Sequence, residues 1–92
     1  MNIRFYIDPE TDLAHIYNHY VDEQEVEDVL ANLGIRYSGS DGSKIAVGQT
    51  QSGRYIRVIY KPDPEPDSVF VITAYELQGQ ALKAYRRRKR RK

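Results

Sequence analysis

The chain contains two histidines, His15 and His19, four residues apart. On a helix that spacing brings both imidazoles to one face, where they could hold a metal ion. A zinc site needs further ligands, and the sequence has no Cys and no other His to supply them. Asp12 and Asp22 are the nearest carboxylates. The blander alternative is that one histidine caps the hydrophobic layer and the other is solvated. The remaining groups with chemical reach are cationic and phenolic: Arg54, Arg57, Tyr60, Tyr75, Tyr85 and Arg86. Guanidinium forks hold phosphate oxygens in pairs, and Tyr rings stack on unpaired bases. Arg57 has Tyr55 and Ile59 as same-face neighbours on a strand, so its stem could equally lie over the sheet with its head in water.

Several chemistries lack their sequence. No Ser sits in a Gly-x-Ser-x-Gly turn, and no phosphate loop or dinucleotide fingerprint is present. The absence of Cys removes disulfides and thiolate nucleophiles. No cofactor is expected.

Charge is distributed unevenly. Of 14 basic residues, seven form the run Arg86-Arg87-Arg88-Lys89-Arg90-Arg91-Lys92. Residues 1–85 keep seven basic against 13 acidic residues, so an acidic body of net charge −6 carries a basic tail. Adjacent like charges repel, and the tail is expected to be disordered until a polyanion neutralises it. RNA is the expected partner; solubilisation and contact with an acidic protein or with the chain's own body are alternatives.

The elements that must position these groups follow from periodicity. Residues 3–7 read as a strand stopped by Asp8-Pro9. Leu13, Ile16, Tyr17 and Tyr20 fall at i, i+3, i+4 and i+7 and predict a helix over 12–20. Asp22 and Glu25 make a capping box for a second helix whose apolar face is Val26, Val29, Leu30 and Leu33, ended by Gly34 as its left-handed cap. Strands are predicted at 35–38, 44–49, 54–60 and 68–75, the last of them central, with Asp41-Gly42 turning the first pair. The proline-rich segment 61–67 reads as an extended connection, and 77–85 as a final helix. The fold class is α+β, in the order β-α-α-β-β-β-β-α, with a mainly antiparallel sheet packed on one side by helices. One domain over 1–85 and a tail over 86–92 account for the chain. No signal-like or membrane-spanning apolar stretch occurs, which predicts a cytoplasmic protein with no membrane partner.

From Phe5 to Tyr85 the sequence resembles the BrnT-like branch of the RelE/ParE toxin superfamily. The resemblance rests on Phe5-Tyr6-Ile7-Asp8-Pro9, on His19-Tyr20-Val21 with Glu25-Val26-Glu27, and on Ile45-Ala46-Val47-Gly48. It continues through Gly53-Arg54-Tyr55-Ile56-Arg57-Val58-Ile59-Tyr60 and Val71-Ile72-Thr73-Ala74-Tyr75, with Tyr85 in the last helix. An uncharacterised toxin-like sister group is similar nearly as closely. The resemblance implies a RelE-like fold and the toxin of a type II toxin–antitoxin pair, with an antitoxin protein as partner. It also implies metal-independent RNA cleavage by attack of the 2′-hydroxyl on the phosphate. His19 and Tyr75 would then handle protons, and Arg54 or Arg57 would clamp the phosphate. Tyr85, Arg86, Arg87, Arg88, Lys89 and Arg90 would contact RNA. The sequence departs from the family pattern at Asn18 (Lys), Tyr20 (Gly), Tyr75 (Arg) and Ala81 (Glu). Two other readings stay open: a non-enzymatic RNA- or protein-binding module, and a subunit of a larger assembly.

Overall fold

The computed structural model describes residues 2–32 and 34–90, without the side chains of Lys89 and Arg90. Leu33, Arg91 and Lys92 therefore lie outside the described residues. Among those described, five strands form one sheet in the order β1-β7-β6-β5-β4. These are β1 (Asn2–Phe5), β4 (Ile35–Ser38), β5 (Lys44–Gln49), β6 (Tyr55–Pro62) and β7 (Ser68–Glu76). β4 through β7 are antiparallel neighbours, whereas β1 runs parallel to β7, pairing Asn2 with Ser68 and Phe5 with Val71. The α+β class and the mainly antiparallel sheet are as the sequence predicts. The central position belongs to β6, with β7 between it and β1.

The segment predicted as a first helix is different. Ile7–Asp8 (β2) and Leu13–Ala14 (β3) make a small hairpin, followed by a 3-10 helix over His15–His19. The turn between them is closed locally. The Asp8 carbonyl accepts from Thr11 and Asp12 N–H, its carboxylate accepts from Glu10 N–H, and Asp12 takes φ 61°. Pairing of His15 N–H with the Tyr6 carbonyl then leaves only five residues before Tyr20 ends the helix in the left-handed region. Of the expected apolar face only Ile16 is buried, while Leu13, Tyr17 and Tyr20 are exposed.

The helix α1 (Glu23–Ala31) starts where its capping box places it. Asp22 accepts from Glu25 N–H at 2.9 Å, and Glu25 accepts from Asp22 N–H at 3.1 Å. Its end is not the expected glycine cap: Asn32 holds the cap position with φ −90°. Arg36 satisfies the last turn by donating to the Leu30 carbonyl at 2.6 Å. Gly34 has a different function, because a Cβ there would collide with the Val47 carbonyl.

α1 and the 3-10 helix cover one sheet face, burying Val26, Val29 and Ile16 against Ile56, Val58 and Val71. The opposite face also carries apolar residues, since β5 and β6 alternate Val47 with Ala46 and Tyr55 with Ile56. The helix α2 (Gly79–Arg90) packs there through Leu82 and Tyr85, with Val47, Leu77 and Tyr55. The helices thus lie on both sides of the sheet rather than one.

α2 also corrects the picture of a disordered tail, because residues 86–90 continue the helix. Arginine is a good helix former, and cations suit the C-terminal end of the dipole. The Arg86 guanidinium lies 5.2 Å from the centre of the Tyr55 ring, a cation–π contact that ties the basic run to the sheet. β6 likewise extends to Pro62, shortening the expected proline-rich connection to a turn closed by Asp63 N–H on the Ser68 carbonyl. No helix among the described residues is long and apolar enough to cross a membrane.

Candidate functional site

β1 pairs with β7 only as far as Val71, and β7 continues to Glu76. The 3-10 helix packs against β7, and there its last residue meets the strand: the His19 and Tyr75 rings are 5.9 Å apart. Across the sheet Tyr75 pairs with Arg57, whose Nη1 donates to the Tyr75 hydroxyl at 3.2 Å. The three residues expected to act on RNA are therefore neighbours, in the line His19, Tyr75, Arg57.

The line continues past His19. The His15 and His19 rings are 5.4 Å apart at 75°, and Tyr6 lies 6.1 Å beyond His15. His15 Nδ1 faces Asp8 Oδ2 at 3.2 Å, and Asn18 donates to the same oxygen at 2.9 Å. The Glu10 amide, His15 and Asn18, in that order, hold the Asp8 carboxyl below the usual carboxylate range. Among the described residues no group of three His, Cys, Asp or Glu is placed to hold a metal ion.

Tyr75 lines one hollow and its partner Arg57 another. A surface depression of about 290 Å³ is lined by Asn18, His19, Arg54, Tyr75, Glu76 and Gln78. A cleft of about 110 Å³ under α2 is lined by residues including Tyr37, Val47, Arg57, Tyr85 and Arg88. A depression of about 450 Å³ between β1 and α1 is lined by Asn2, Ile3, Glu27, Leu30 and Ala31, without a cation, and is a poorer place for a polyanion, whereas one of about 620 Å³ beside β4 is lined by Ile35, Arg36, Tyr37 and Arg88. In the cleft region two buried atoms have no hydrogen-bond partner among the described residues: Arg57 Nε and Thr73 Oγ1. Thr73 pairs with Ile59 and so lies diagonal to Arg57 on the same face. A buried donor left unmet costs about 1–3 kcal/mol.

Two expected RNA-contacting residues are otherwise engaged. Arg54 donates to Glu25 at 2.6 Å, to Glu76 at 3.2 Å and to the Tyr20 carbonyl at 2.9 Å. It is a staple between α1, the 3-10 helix end and β7, with its charge met by two carboxylates. Tyr85 is buried against Tyr55, ring centres 5.6 Å apart, and burial pushes its phenol up. Its ring is unavailable for stacking on a base. Arg86, Arg87 and Arg88 are exposed on α2; the Lys89 and Arg90 side chains lie outside the described residues. Asp8, His15, Asn18 and Thr73 were not among the residues expected at the site. The Asp8-Pro9 turn and the His-x-x-x-His spacing were the only sequence signals pointing to them.

No family model, curated protein or solved structure matches the chain significantly. The functional argument therefore rests on the site itself.

Proposed function

We propose that this chain is a toxin of the RelE/BrnT-like class, with that fold, acting in the cytoplasm as a metal-independent endoribonuclease. The observation that carries the reading is the adjacency of His19, Tyr75 and Arg57 along β7 and β6. In this mechanism Arg57 receives a phosphate of the bound strand and offsets its charge. His19 takes the proton of the 2′-hydroxyl, and Tyr75 holds the guanidinium in line between them. On α2, Arg88 lines the cleft, and the exposed Arg86 and Arg87 beside it add charge that draws in the RNA backbone. The resemblance gains support from Tyr20. It stands where the family pattern has Gly, and its φ of 59° is a backbone that glycine adopts without strain.

The test is induced expression in bacteria with growth and total RNA followed, beside His19→Ala and Arg57→Ala. Arrest with RNA fragmentation, relieved by either substitution, is the expected result. Normal growth with intact RNA at confirmed expression would overturn the enzymatic reading. A second reading, non-enzymatic RNA binding, is favoured by one observation: the basic residues are arrayed on a packed helix rather than on a loose tail. It predicts salt-sensitive RNA binding that survives His19→Ala.

A further inference from the structure

We infer that His15 is a second proton-transfer group of this site, held by Asp8 and working opposite His19. The inference rests on the ribonuclease reading and deepens it.

Asp8 is built to orient an imidazole. Glu10 N–H fixes one carboxylate oxygen at 2.9 Å, and Asn18 fixes the other at 2.9 Å. The β2–β3 hairpin pairs Asp8 with Leu13 and so brings residue 15 back to residue 8. Nδ1 of His15 lies 3.2 Å from that second oxygen and 3.3 Å from the Asn18 side-chain nitrogen; in the tautomer whose Nδ1 proton points to the carboxylate, Nε2 is the nitrogen left to exchange protons. The His15 side chain is 32% exposed, so a substrate can reach it.

RNA cleavage by the 2′-hydroxyl needs two proton transfers on opposite sides of phosphorus, because the attacking and leaving oxygens lie in line. Each transferring nitrogen must come within about 2.6–3.2 Å of its oxygen. The His15 and His19 rings meet edge to face with centres 5.4 Å apart, so a phosphodiester laid across their exposed edges has one imidazole at each end, while Arg57, beyond Tyr75, meets a neighbouring phosphate of the strand. His19 takes the proton from the 2′-hydroxyl while the 2′-oxygen forms its bond to phosphorus. The bond from phosphorus to O5′ breaks with its electron pair going to oxygen, and the His15 imidazolium gives its proton to O5′. The products are a 2′,3′-cyclic phosphate and a 5′-hydroxyl, and proton exchange with water resets the two rings. The donating role falls to His15 because the Asp8 carboxylate stands against its ring, whereas no carboxylate is hydrogen-bonded to His19 among the described residues.

A purely structural His15, fastening the hairpin, makes a different prediction, and leaving-group chemistry separates the two. The full chain is assayed on a short RNA and on a ribonucleoside 3′-(4-nitrophenyl phosphate), whose leaving group departs without a proton. His15→Gln should lower RNA cleavage about 100-fold while lowering nitrophenyl ester cleavage no more than about threefold. His19→Gln should lower both. Asp8→Asn, a change at a positioning residue, should show the same selectivity at about tenfold. If His15→Gln proves unfolded by circular dichroism, Asp8→Asn carries the same comparison. Equal loss on the two substrates, or no loss on either, overturns the inference and leaves the ribonuclease reading standing. A wild-type chain that cleaves neither substrate overturns both.

Discussion

The Tyr75 hydroxyl accepts from Arg57 Nη1 at 3.2 Å, and the same tyrosine ring lies 5.9 Å from that of His19. One side chain thus sets the distance between the proposed phosphate-holding and proton-moving groups. Removing only the hydroxyl, in Tyr75→Phe, should cost about 1 kcal/mol in the transition state, or about fivefold in cleavage rate. Arg57→Ala should cost about 10²–10³-fold. Single-turnover cleavage of a short RNA measures both, and a Tyr75→Phe loss as large as that of Arg57→Ala would place the chemistry on the tyrosine instead.

Tyr20 is 87% exposed and takes φ 59°. A non-glycine residue in that region carries about 1–2 kcal/mol of strain, and glycine loses about 0.5–1 kcal/mol of extra backbone entropy on folding. Tyr20→Gly should therefore stabilise the domain by about 0.5–1 kcal/mol, read as a higher midpoint in urea. A lower midpoint would show that the exposed ring contributes to stability.

Gly34→Ala should destabilise by about 1–3 kcal/mol, because a Cβ would run into the Val47 carbonyl, where β4 meets β5. Gly42→Ala is the control: unlike Gly34 it has a positive φ, 76°, and nothing stands within 4 Å of the added carbon. Thermal melts of the pair separate collision from backbone strain.

Arg4 donates to Asp63 through two nitrogens, at 3.1 and 2.7 Å, and Ser68 donates to the same carboxylate at 2.6 Å. Arg4 first and Ser68 second hold the Asp63 carboxyl below its ordinary value. A depressed carboxylate stabilises the fold above its unfolded pKa of about 3.9, and that stability is lost as pH falls through the folded value. Acid unfolding should accordingly steepen below about pH 4 in the wild type and be flatter in Asp63→Asn. Superimposable curves for the two proteins would remove this linkage.

Binding of single-stranded RNA should weaken with salt, and each α2 arginine that meets a phosphate should contribute about 0.7 to the log–log slope. Changing Arg86, Arg87 and Arg88 to Ala together should reduce the slope by about 2. Lys83 and Arg87 lie four apart on the helix, so bound RNA should also raise α2 helicity by relieving like-charge repulsion. Circular dichroism titrations with and without RNA read that directly.

Much of the scaffold could be read locally. The Asp22–Glu25 box marks the start of α1, and Asp41-Gly42, both at positive φ, marks the β4–β5 turn. The first helix misled because Leu13, Ile16, Tyr17 and Tyr20 satisfy a helical period by coincidence. The competing signal was a turn stabilised by the side chain and carbonyl of one residue, Asp8. The parallel β1–β7 pairing leaves no local trace, since neither strand's alternation names its partner. His19, Tyr75 and Arg57 came from motif resemblance, while their adjacency depends on where β1 leaves β7. Arg54 and Tyr85 showed only their residue types, and burial and ion pairing decided their fate.

The pairing of β1 with β7 also sets a timetable. Asn2–Phe5 leaves the ribosome well before its partner, since Ser68–Val71 follows 66 residues later. Contacts of such long range form slowly, since the intervening loop must close before they are rewarded. His19 waits 56 residues for Tyr75. The proposed site is thus assembled only when synthesis has passed residue 75, and a nascent chain stalled earlier carries its histidines without the strand they face.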